Sequence, residues 1–521
     1  MVSFVISIVV LIVGYFTYGR FIDRLFGPDD RPTPALAQAD GVDFVPLPTW
    51  RVFMIQFLNI AGTGPIFGAI MGIWFGPAAY LWIVLGCIFA GAVHDYLSGM
   101  LSLRHKGEGA PSIIGNYLGK PTQRVMVVFV IFLMVMVGSV FVFTPALILS
   151  SITGSTMMWI IVIFAYYIIA TLLPIDKVIG KIYPLFASAL LFMALALLVI
   201  ILFKWPSLPE LWHMGHDMDV WRNSLVVEGH DALGIVAFLQ KNPLFSCMFI
   251  TIACGAISGF HATQSPLMAR CMTSERHGRP VFYGAMITEG LVALIWAAVA
   301  SYFFYDNGWR HLLPEQEVEA FLAQVTTPQG KTLIQYFSAP QVVKIVCSGW
   351  LGLLGGLLAI LGVVAAPITS GDTALRSARL IIAEQLKLEQ HSLPRRLMIS
   401  IPLFAIALLL LLWQIHNPDG FNMLWMYFGW LNQSLSVFTL WAITVFLARS
   451  GKNYWVSLVP ALFMTAVSIV FLLVSPQALG LNQSIAFWAS VVIVTVAIVW
   501  FYIWKRRDIA TTHTRTLIKH L

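Results

Sequence analysis

Residues 59–68 constrain the fold of this chain most, because they interrupt a long apolar run with residue types that an α-helix does not tolerate. The glycines at the centre of this segment lower helix stability, and Pro65 lacks the N–H group that the interior of a helix requires. Proline is favourable at the first position of a helix. We therefore predict two half-helices, 51–61 and 65–76, that meet near the middle of a membrane.

Such a break has a functional meaning, because non-helical backbone at that depth is tolerated only where protein or a polar cavity satisfies its hydrogen bonds. Interrupted membrane helices of this kind usually form the binding site of a transporter. Glycines recur at every fourth position from Gly64 to Gly76, a spacing typical of membrane helices that pack closely.

The composition indicates a chain that crosses the membrane many times. Of its 521 residues 59% are hydrophobic and only 11% are charged, whereas a soluble domain has roughly 25% charged residues. The apolar runs are continuous, so that we predict an all-α polytopic membrane protein rather than an outer-membrane barrel. The net charge of +7 agrees with basic cytoplasmic loops. We expect the lipid bilayer and a small-molecule substrate as partners, without nucleic acid.

Several functional classes lack support in the sequence. The five cysteines lie in or beside apolar runs and show no disulfide framework or zinc spacing. The first apolar run, 2–18, has no basic region before it and no small-residue cleavage site, so that we expect a retained helix rather than a signal peptide. Nucleotide-binding and hydrolase motifs are absent. We therefore expect neither an enzyme nor a bound cofactor, and an ion gradient as the energy source.

Runs of about 20 apolar residues predict the membrane spans. We count thirteen of them: 2–18, 51–76, 77–102, 125–150, 156–174, 179–203, 243–277, 281–304, 342–371, 396–413, 419–448, 454–474 and 482–504. Most of the 31 Lys and Arg residues follow the odd-numbered spans, which places those ends in the cytoplasm. The expected location is the inner (plasma) membrane, with the N-terminus outside and the C-terminus in the cytoplasm.

Span seven is interrupted in a similar way. Small residues occupy its middle, and we expect Ser265 to cap a second half-helix that starts at Pro266. Span seven lies five spans after span two, and the chain enters it from the opposite side of the membrane. Two broken spans in this relation predict an inverted five-helix repeat. We therefore divide the chain into five parts. Repeat A comprises residues 51–203 and repeat B comprises residues 243–448, with an outside loop, 204–242, between them. An extra helix and a cytoplasmic loop, 1–50, precede repeat A, and two accessory helices and a tail, 449–521, follow repeat B.

Three ionisable side chains lie inside predicted spans, where charge is costly and usually functional. Asp95 is in span three, Glu289 is in span eight, and His261 is in the break of span seven. Each carboxylate could carry a proton, and an imidazole can change its charge near neutral pH. The alternative in each case is a structural ion pair or hydrogen bond.

The end of span nine offers oxygen atoms for a cation. Thr369 and Ser370 have hydroxyl groups and Asp372 has a carboxylate, and oxygen ligands suit a hard cation such as sodium. Free carbonyl groups at the break of span two could complete the shell. Alternatively, this stretch is a helix end with Gly371 at its C-terminus. Further polar residues at plausible depth are Gln56, Asn59, Asn432 and Gln433.

Two segments outside the spans lead to further hypotheses. The outside loop contains His213, His216, Asp217, Asp219, His230 and Asp231. These residues could bind a metal ion, although a solvated loop without a site is the simpler interpretation. Residues 374–390 have charged and apolar side chains at helical spacing, which predicts an amphipathic helix along the cytoplasmic interface.

Four motifs carry more information than the composition does. They are QFLNIAGTGPI at 56–66, GAVHDY at 91–96, RHKGEG at 104–109 and PIDKVIGKIYP at 174–184. Together they resemble the carbon starvation (CstA-type) transporter family over most of residues 51–380. The resemblance implies the amino acid–polyamine–cation superfamily, a LeuT-like core and uptake of pyruvate or peptides coupled to protons. It also implies a sodium position between spans two and nine, where proton-coupled relatives place a lysine that corresponds to Lys181.

The leading prediction is a secondary active transporter that imports a small carboxylate such as pyruvate, coupled to a proton or sodium gradient. The half-helix that starts at Pro65 would point its amide groups at the substrate. The predicted substrate-binding residues are Asn59, Gly62, Thr63, Gly64, Ser258 and His261. The predicted coupling residues are Asp95, Glu289, Asp372 and Lys181, with Thr369 and Ser370 as sodium ligands. The alternatives are a peptide importer of the same family and, in another class, a gated channel.

Overall fold

The structure of the protein is a computed structural model that describes residues 1–173, 179–213, 248–325, 337–390, 392–417, 420–475 and 478–519. These residues form helices joined by turns, and no strand occurs among them. The all-α class is therefore confirmed. The span numbers one to thirteen are kept as labels for the helices that occupy the predicted segments.

The helices fall into two groups along the chain. Up to residue 213 they are Val2–Phe16, Tyr18–Phe26, Pro34–Ala37, Thr49–Ala61, Ala69–Gly72, Ala78–Gly86, Ala92–Arg104, Ala110–Leu118, Lys120–Thr153, Thr156–Leu172 and Ile179–Lys204. From residue 248 onward they are Phe249–Thr251, His261–Ala269, Gly284–Tyr305, Gly308–Leu312, Glu315–Val325, Ala339–Leu386, Leu393–His416, Gly420–Arg449, Trp455–Val474 and Gln483–Lys519. Wide π-helical turns occur at Gly64–Gly68, Cys87–Gly91 and Arg279–Tyr283, and tight 3-10 turns at Ile73–Phe75, Leu211–His213 and Glu275–His277.

The number of membrane spans follows from the length and composition of these helices. Ten helices in the described part of the chain can cross a membrane, and the bent pair Thr49–Ala61 and Gly64–Gly72 raises the number to eleven. Span five, Thr156–Leu172, is a shorter apolar helix. Span seven consists of two short helices, Phe249–Thr251 and His261–Ala269. Ten or eleven spans are therefore supported, and the total of thirteen stays a prediction.

The outer helices expose large apolar side chains. Val128 is 70% exposed, Phe203 is 86% exposed and Trp500 is 72% exposed. An apolar surface of this extent is expected where a protein faces lipid rather than water. The side of the membrane on which each terminus lies stays a prediction from the basic residues.

Span two is broken where the sequence predicts it. Its two halves, Thr49–Ala61 and Gly64–Gly72, are bent by 50° relative to each other. Gly62 lies between them with φ 46° and ψ −145°, a conformation that glycine adopts at the lowest cost. Pro65 is in the first turn of the second half, where its missing N–H costs no helical hydrogen bond. The prediction of two half-helices is therefore confirmed.

Span seven is also interrupted, but its second half begins earlier than predicted. Non-helical backbone precedes the helix His261–Ala269. The amide of Thr263 donates to the carbonyl oxygen of Phe260 at 2.9 Å, so that the first turn closes before Pro266 is reached. Ser265 does not cap the helix, because its hydroxyl donates at 3.0 Å to the carbonyl group one turn earlier. The predicted start at Pro266 is therefore wrong.

The two breaks pack directly against each other through glycines. A Cβ atom added to Gly64 would lie 2.2 Å from Cβ of Cys254, and one added to Gly68 would lie 2.7 Å from the carbonyl oxygen of Thr251. Side chains in a close-packed interior do not approach each other so closely. The glycine spacing of span two therefore allows the backbones of the two broken spans to touch.

Span nine extends further than predicted. The helical segment Ala339–Leu386 has a kink at Gly352 (φ 64°, ψ −165°), and the helix of membrane length after it, Gly355–Leu386, continues past the predicted end. Residues 374–390 therefore do not form a separate helix along the interface, and that prediction is wrong. Arg376 and Arg379 in this stretch are fully buried, because they find partners inside the protein rather than in water.

We expect Gly64→Ala to destabilise the protein by about 1–3 kcal/mol, because the added methyl group would overlap Cys254. Gly284→Ala is the matched control, since the nearest atom to its added Cβ would lie at 3.4 Å, an ordinary contact distance. Thermal unfolding of both purified variants in detergent measures the difference. Equal melting temperatures for Gly64→Ala and the wild type would contradict the close contact between the breaks.

Candidate functional site

The centre of the protein contains four ionisable side chains in a row. Asp95 lies between two imidazoles: Oδ1 is 2.8 Å from Nδ1 of His94, and Oδ2 is 2.8 Å from Nδ1 of His261. The other ring nitrogen of His261, Nε2, lies 3.5 Å from Oε2 of Glu289. All four side chains are fully buried. We call His94, Asp95, His261 and Glu289 the central ionisable chain.

Three spans bring these residues together. Span three contains a wide π-helical turn, Cys87–Gly91, directly before the helix that carries Asp95, and such turns are frequent at functional sites. A Cβ atom on Gly91 would lie 2.2 Å from the carbonyl oxygen of Ala256, so that span three touches the break of span seven. One turn further along, Asp95 reaches His261 at the start of the second half-helix.

The central ionisable chain has hydrogen-bonding capacity that its surroundings do not use. Among the described residues Nε2 of His94 has no hydrogen-bond partner, and the contact of 3.5 Å between Nε2 of His261 and Oε2 of Glu289 falls outside strict hydrogen-bond geometry. Buried polar atoms are nearly always hydrogen-bonded, so that these atoms mark a place for a proton, a water molecule or a cation. The sequence singled out Asp95, His261 and Glu289 separately, and the structure brings them into one site.

Two polar side chains at the break of span two also lack partners. Both amide atoms of Asn59 and the hydroxyl oxygen of Thr63 are buried without a hydrogen bond among the described residues. Both residues were predicted to bind substrate, and they retain the donors that a carboxylate requires. Gly62 and Gly64, from the same prediction, flank Thr63 in the break.

Span eleven supplies two amide side chains that hold the break of span seven. Oδ1 of Asn432 accepts hydrogen bonds from Oγ of Ser258 at 3.0 Å and from the backbone N–H of Phe260 at 2.6 Å. Nε2 of Gln433 donates to the carbonyl oxygen of Ile257 at 3.1 Å. Ser258, predicted to bind substrate, therefore already has a partner. The sequence reasoning missed this supporting role, and its signal is an adjacent pair of amides within an apolar helix.

Spans two and nine meet at the predicted sodium position. Oγ of Ser370 donates to the carbonyl oxygen of Asn59 at 2.9 Å and lies 3.3 Å from that of Leu58. Carbonyl groups at a helix end lack helical partners, and such oxygens suit a hard cation. The hydroxyl of Thr369 donates to Ala366 in its own helix at 2.9 Å. Ser370 and the two carbonyl groups therefore fit an oxygen site better than Thr369 does.

Asp372 belongs to a different buried network. Its Oδ2 accepts a hydrogen bond from Tyr183 at 2.6 Å, and its Oδ1 accepts one from Thr171 at 3.3 Å. These donors come from spans six and five, so that the contacts of Asp372 differ from those of the central ionisable chain. The side chain of Lys181 is exposed. The structure therefore brings neither Asp372 nor Lys181 to the central site.

A second charged cluster lies at the predicted cytoplasmic end of span nine. Asp43 accepts hydrogen bonds from Arg379 at 3.2 Å and from Arg376 at 3.5 Å, and Arg376 also donates to the carbonyl oxygen of Leu173 at 2.9 Å. Burial alone raises the pKa of Asp43, but four nearby guanidinium groups outweigh this effect and hold the pKa below its ordinary value. They belong to Arg379, Arg376, Arg270 and Arg396.

The metal-site hypothesis for the outside loop concerns residues that the structure does not describe. His216, Asp217, Asp219, His230 and Asp231 lie outside the described residues, and the side chain of His213 is not described either. Residues 174–178 of the PIDKVIGKIYP motif also lie outside the described part. A metal site in the loop stays a prediction.

Comparison with known proteins identifies the family of the chain. The model of the carbon starvation protein CstA family matches residues 1–227, 144–339 and 338–471. The chain belongs to the CstA family.

An uncharacterized membrane protein of Haemophilus influenzae is 42% identical over 348 residues, which cover 59% of this chain and 92% of that protein. The peptide transporter CstA of Campylobacter jejuni is 28% identical over 89% of this chain and 78% of its own length. The peptide transporter CstA of Escherichia coli is 25% identical, with shares of 88% and 79%.

Solved structures identify the fold of this CstA-family protein. A manganese transporter of Eremococcus coleocola superposes with a TM-score of 0.52 at 12% identity, over 91% of this chain and 99% of that chain. A Na+-coupled sialic acid symporter in its outward-open state has a TM-score of 0.51 at 14% identity, over 93% and 96% of the two chains. These neighbours have the LeuT fold, so that the predicted LeuT-like core is confirmed. At such identities the likeness concerns the fold alone.

Transport is the function class that these findings support. Several CstA relatives are named transporters. The protein is therefore a multi-span membrane transporter of the CstA family. The names of the relatives give no support to an enzyme.

We expect Asp43→Asn to destabilise the protein by about 3 kcal/mol at neutral pH, because it leaves buried arginines without their counter-charge. The pKa of Asp43 is lower in the folded protein than in the unfolded chain. Its stabilising contribution is therefore complete above about pH 5 and is lost as the pH falls below about 4. The gap in melting temperature between the wild type and Asp43→Asn should shrink accordingly when unfolding is measured across this range.

Asp30→Asn is the control for this experiment. It removes an exposed ion pair with Arg276, and exposed pairs contribute little to stability. If the difference in melting temperature between the wild type and Asp43→Asn stays constant as the pH falls, the arginines do not stabilise the charged carboxylate of Asp43.

Proposed function

We propose that this protein imports a small carboxylate such as pyruvate and that a proton gradient drives the import. The observation that carries the proposal is a pair of buried side chains at the break of span two, Asn59 and Thr63, that have no hydrogen-bond partner in the part of the chain that the structure describes. Their amide and hydroxyl groups can donate hydrogen bonds to a carboxylate. The second half-helix, Gly64–Gly72, begins beside them, and the positive end of a helix dipole favours an anion.

The packing between the breaks leaves room for a substrate only after the two spans separate. Gly64 lies so close to Cys254 that even a methyl group would overlap. A molecule with few heavy atoms can be accommodated there after a small separation of the two spans. A peptide requires a larger separation.

Import of peptides is the second candidate, because CstA proteins of several bacteria are named peptide transporters. A dipeptide also has a terminal carboxylate, so that the donors of Asn59 and Thr63 would suit it as well. The two candidates therefore differ in the size of the site rather than in its chemistry.

The central ionisable chain is proposed to hold the coupling proton. Asp95 bonds to His94 and His261, and the far side of His261 faces Glu289. One proton can therefore be held at several positions within the protein. His261 begins the second half-helix of span seven, so that a movement of this half-helix would change its distances to both carboxylates. Proton affinity would then depend on the transport state, which is the requirement for coupling.

Sodium is the alternative coupling ion. The hydroxyl of Ser370 and the carbonyl oxygens of Leu58 and Asn59 converge at the end of the first half-helix of span two. A sodium ion bound there would be held by oxygen ligands, which suit a hard cation. This alternative places the driving ion beside the break rather than on the central ionisable chain.

Uptake into proteoliposomes tests the proposal. Purified protein is supplied with labelled pyruvate, with and without a pH gradient that is acidic outside. We expect accumulation above the external concentration only with the gradient, and no competition by an excess of a dipeptide. Accumulation of the dipeptide with displacement of pyruvate would assign peptide import instead. Equilibration of pyruvate without accumulation would indicate a gated channel. Accumulation that requires a sodium gradient at constant pH would assign the coupling ion to the oxygen site at Ser370.

We expect Asp95→Asn to lower proton-driven accumulation roughly 10- to 100-fold, because an amide between the two histidines cannot carry the charge that links proton binding to transport. Uptake is measured as a function of external pH. Asp30→Asn, which alters an exposed carboxylate, serves as the control. An unchanged pH dependence in Asp95→Asn would exclude Asp95 as part of the coupling path.

A further inference from the structure

Three side chains of different chemistry meet beside the break of span seven. They are the thiol of Cys254, the imidazole of His261 and the carboxylate of Glu289, and one donor atom from each lies within 4.8 Å of the other two. His261 and Glu289 are fully buried, and Cys254 is 6% exposed. Cys254 and His261 belong to span seven and Glu289 belongs to span eight, so that the set joins two spans.

The donor atoms of this set have unused capacity. Nε2 of His261 and Oε2 of Glu289 lie 3.5 Å apart, and this contact falls outside strict hydrogen-bond geometry. The thiol of Cys254 makes a long contact of 3.8 Å with Oγ of Ser258. Buried donors and acceptors are nearly always satisfied, and a further group between the three side chains would satisfy them.

We propose that Cys254, His261 and Glu289 form a binding site for a zinc ion. A sulfur, a nitrogen and an oxygen ligand suit Zn2+, whereas Mg2+ and Ca2+ prefer oxygen ligands. In a tetrahedral zinc site the ligand atoms lie roughly 3.3–3.7 Å apart. Nε2 of His261 and Oε2 of Glu289 already lie 3.5 Å apart, and even a pair at the limit of 4.8 Å would need to close by only about 1 Å.

Asp95 orients the imidazole for this role. Its Oδ2 lies 2.8 Å from Nδ1 of His261, so that the other ring nitrogen, Nε2, faces Glu289 and can bind the ion. Histidines that bind metals commonly have a carboxylate on their other nitrogen. On zinc binding the thiol of Cys254 releases its proton to the solvent. The resulting thiolate and the carboxylate of Glu289 together balance the two positive charges of the ion.

Zinc binding has a consequence for transport. Gly64 packs against Cys254, so that the site becomes accessible when the two breaks separate. A bound zinc ion occupies His261 and Glu289, the side chains to which we assign the coupling proton, and would therefore inhibit uptake. The inhibition rests on the proposed function, whereas the binding of zinc does not.

Calorimetric titration of the purified full-length protein with Zn2+ tests the site, and Co2+ serves as a spectroscopic probe of sulfur ligation. We expect one zinc ion per chain and a cobalt–thiolate absorption band in the wild type. Cys254→Ser should remove the band and weaken zinc binding about 100-fold, and Asp95→Asn should weaken it roughly tenfold. Cys347→Ser, which changes another buried free cysteine, should leave both signals unchanged.

Absence of zinc binding by the folded wild type would overturn the proposal. An equal loss of zinc affinity in Cys254→Ser and Cys347→Ser would also overturn it. Should Cys254→Ser fail to fold, Glu289→Gln provides the same test: its zinc affinity should fall while the cobalt–thiolate band persists, and an unchanged affinity would exclude Glu289 and thereby the site. If pyruvate uptake fails while the zinc titration gives the expected pattern, only the proposed function is refuted.

Discussion

Backbone groups that leave a helix inside a membrane need hydrogen-bond partners from the protein, because the surrounding lipid offers none. The centre of this transporter is built around that requirement. Ser370 donates to a carbonyl group at the end of the first half-helix of span two, and Asn432 and Gln433 hold the non-helical part of span seven. Glycines allow the two interrupted spans to lie side by side. Asn59 and Thr63 at the break of span two keep unpaired hydrogen-bonding groups among the described residues, and we propose that these groups bind the substrate.

Contacts between different spans also bring the buried charged side chains together with partners that are distant in the sequence. Asp95 of span three reaches His261 in the break of span seven, and the imidazole then faces Glu289 of span eight. Asp43, before span two, pairs with two arginines of span nine. A movement of the broken spans has to change these contacts.

Local signals made part of this structure predictable. The break of span two follows from glycines and a proline whose effects on the backbone are local. The start of the half-helix at His261 depends on how the preceding turn closes, and Pro266 misled the prediction. The end of span nine was misplaced because Gly371 and the charges after it look like a helix end. Arg376 and Arg379 are buried with partners that include Asp43, which lies 333 residues before Arg376, and such distant pairings leave no local pattern.

Substrate binding between the two breaks is the central claim, and Cys254 reports on it because Gly64 packs against its side chain. In a variant with serine at the other four cysteine positions, the rate at which a small thiol reagent labels Cys254 is measured with and without the substrate that the uptake assay identifies. Saturating substrate should slow the labelling, and its removal should restore the original rate. If a preparation that accumulates the substrate labels Cys254 equally fast in its presence, the substrate binds elsewhere and the claim is contradicted.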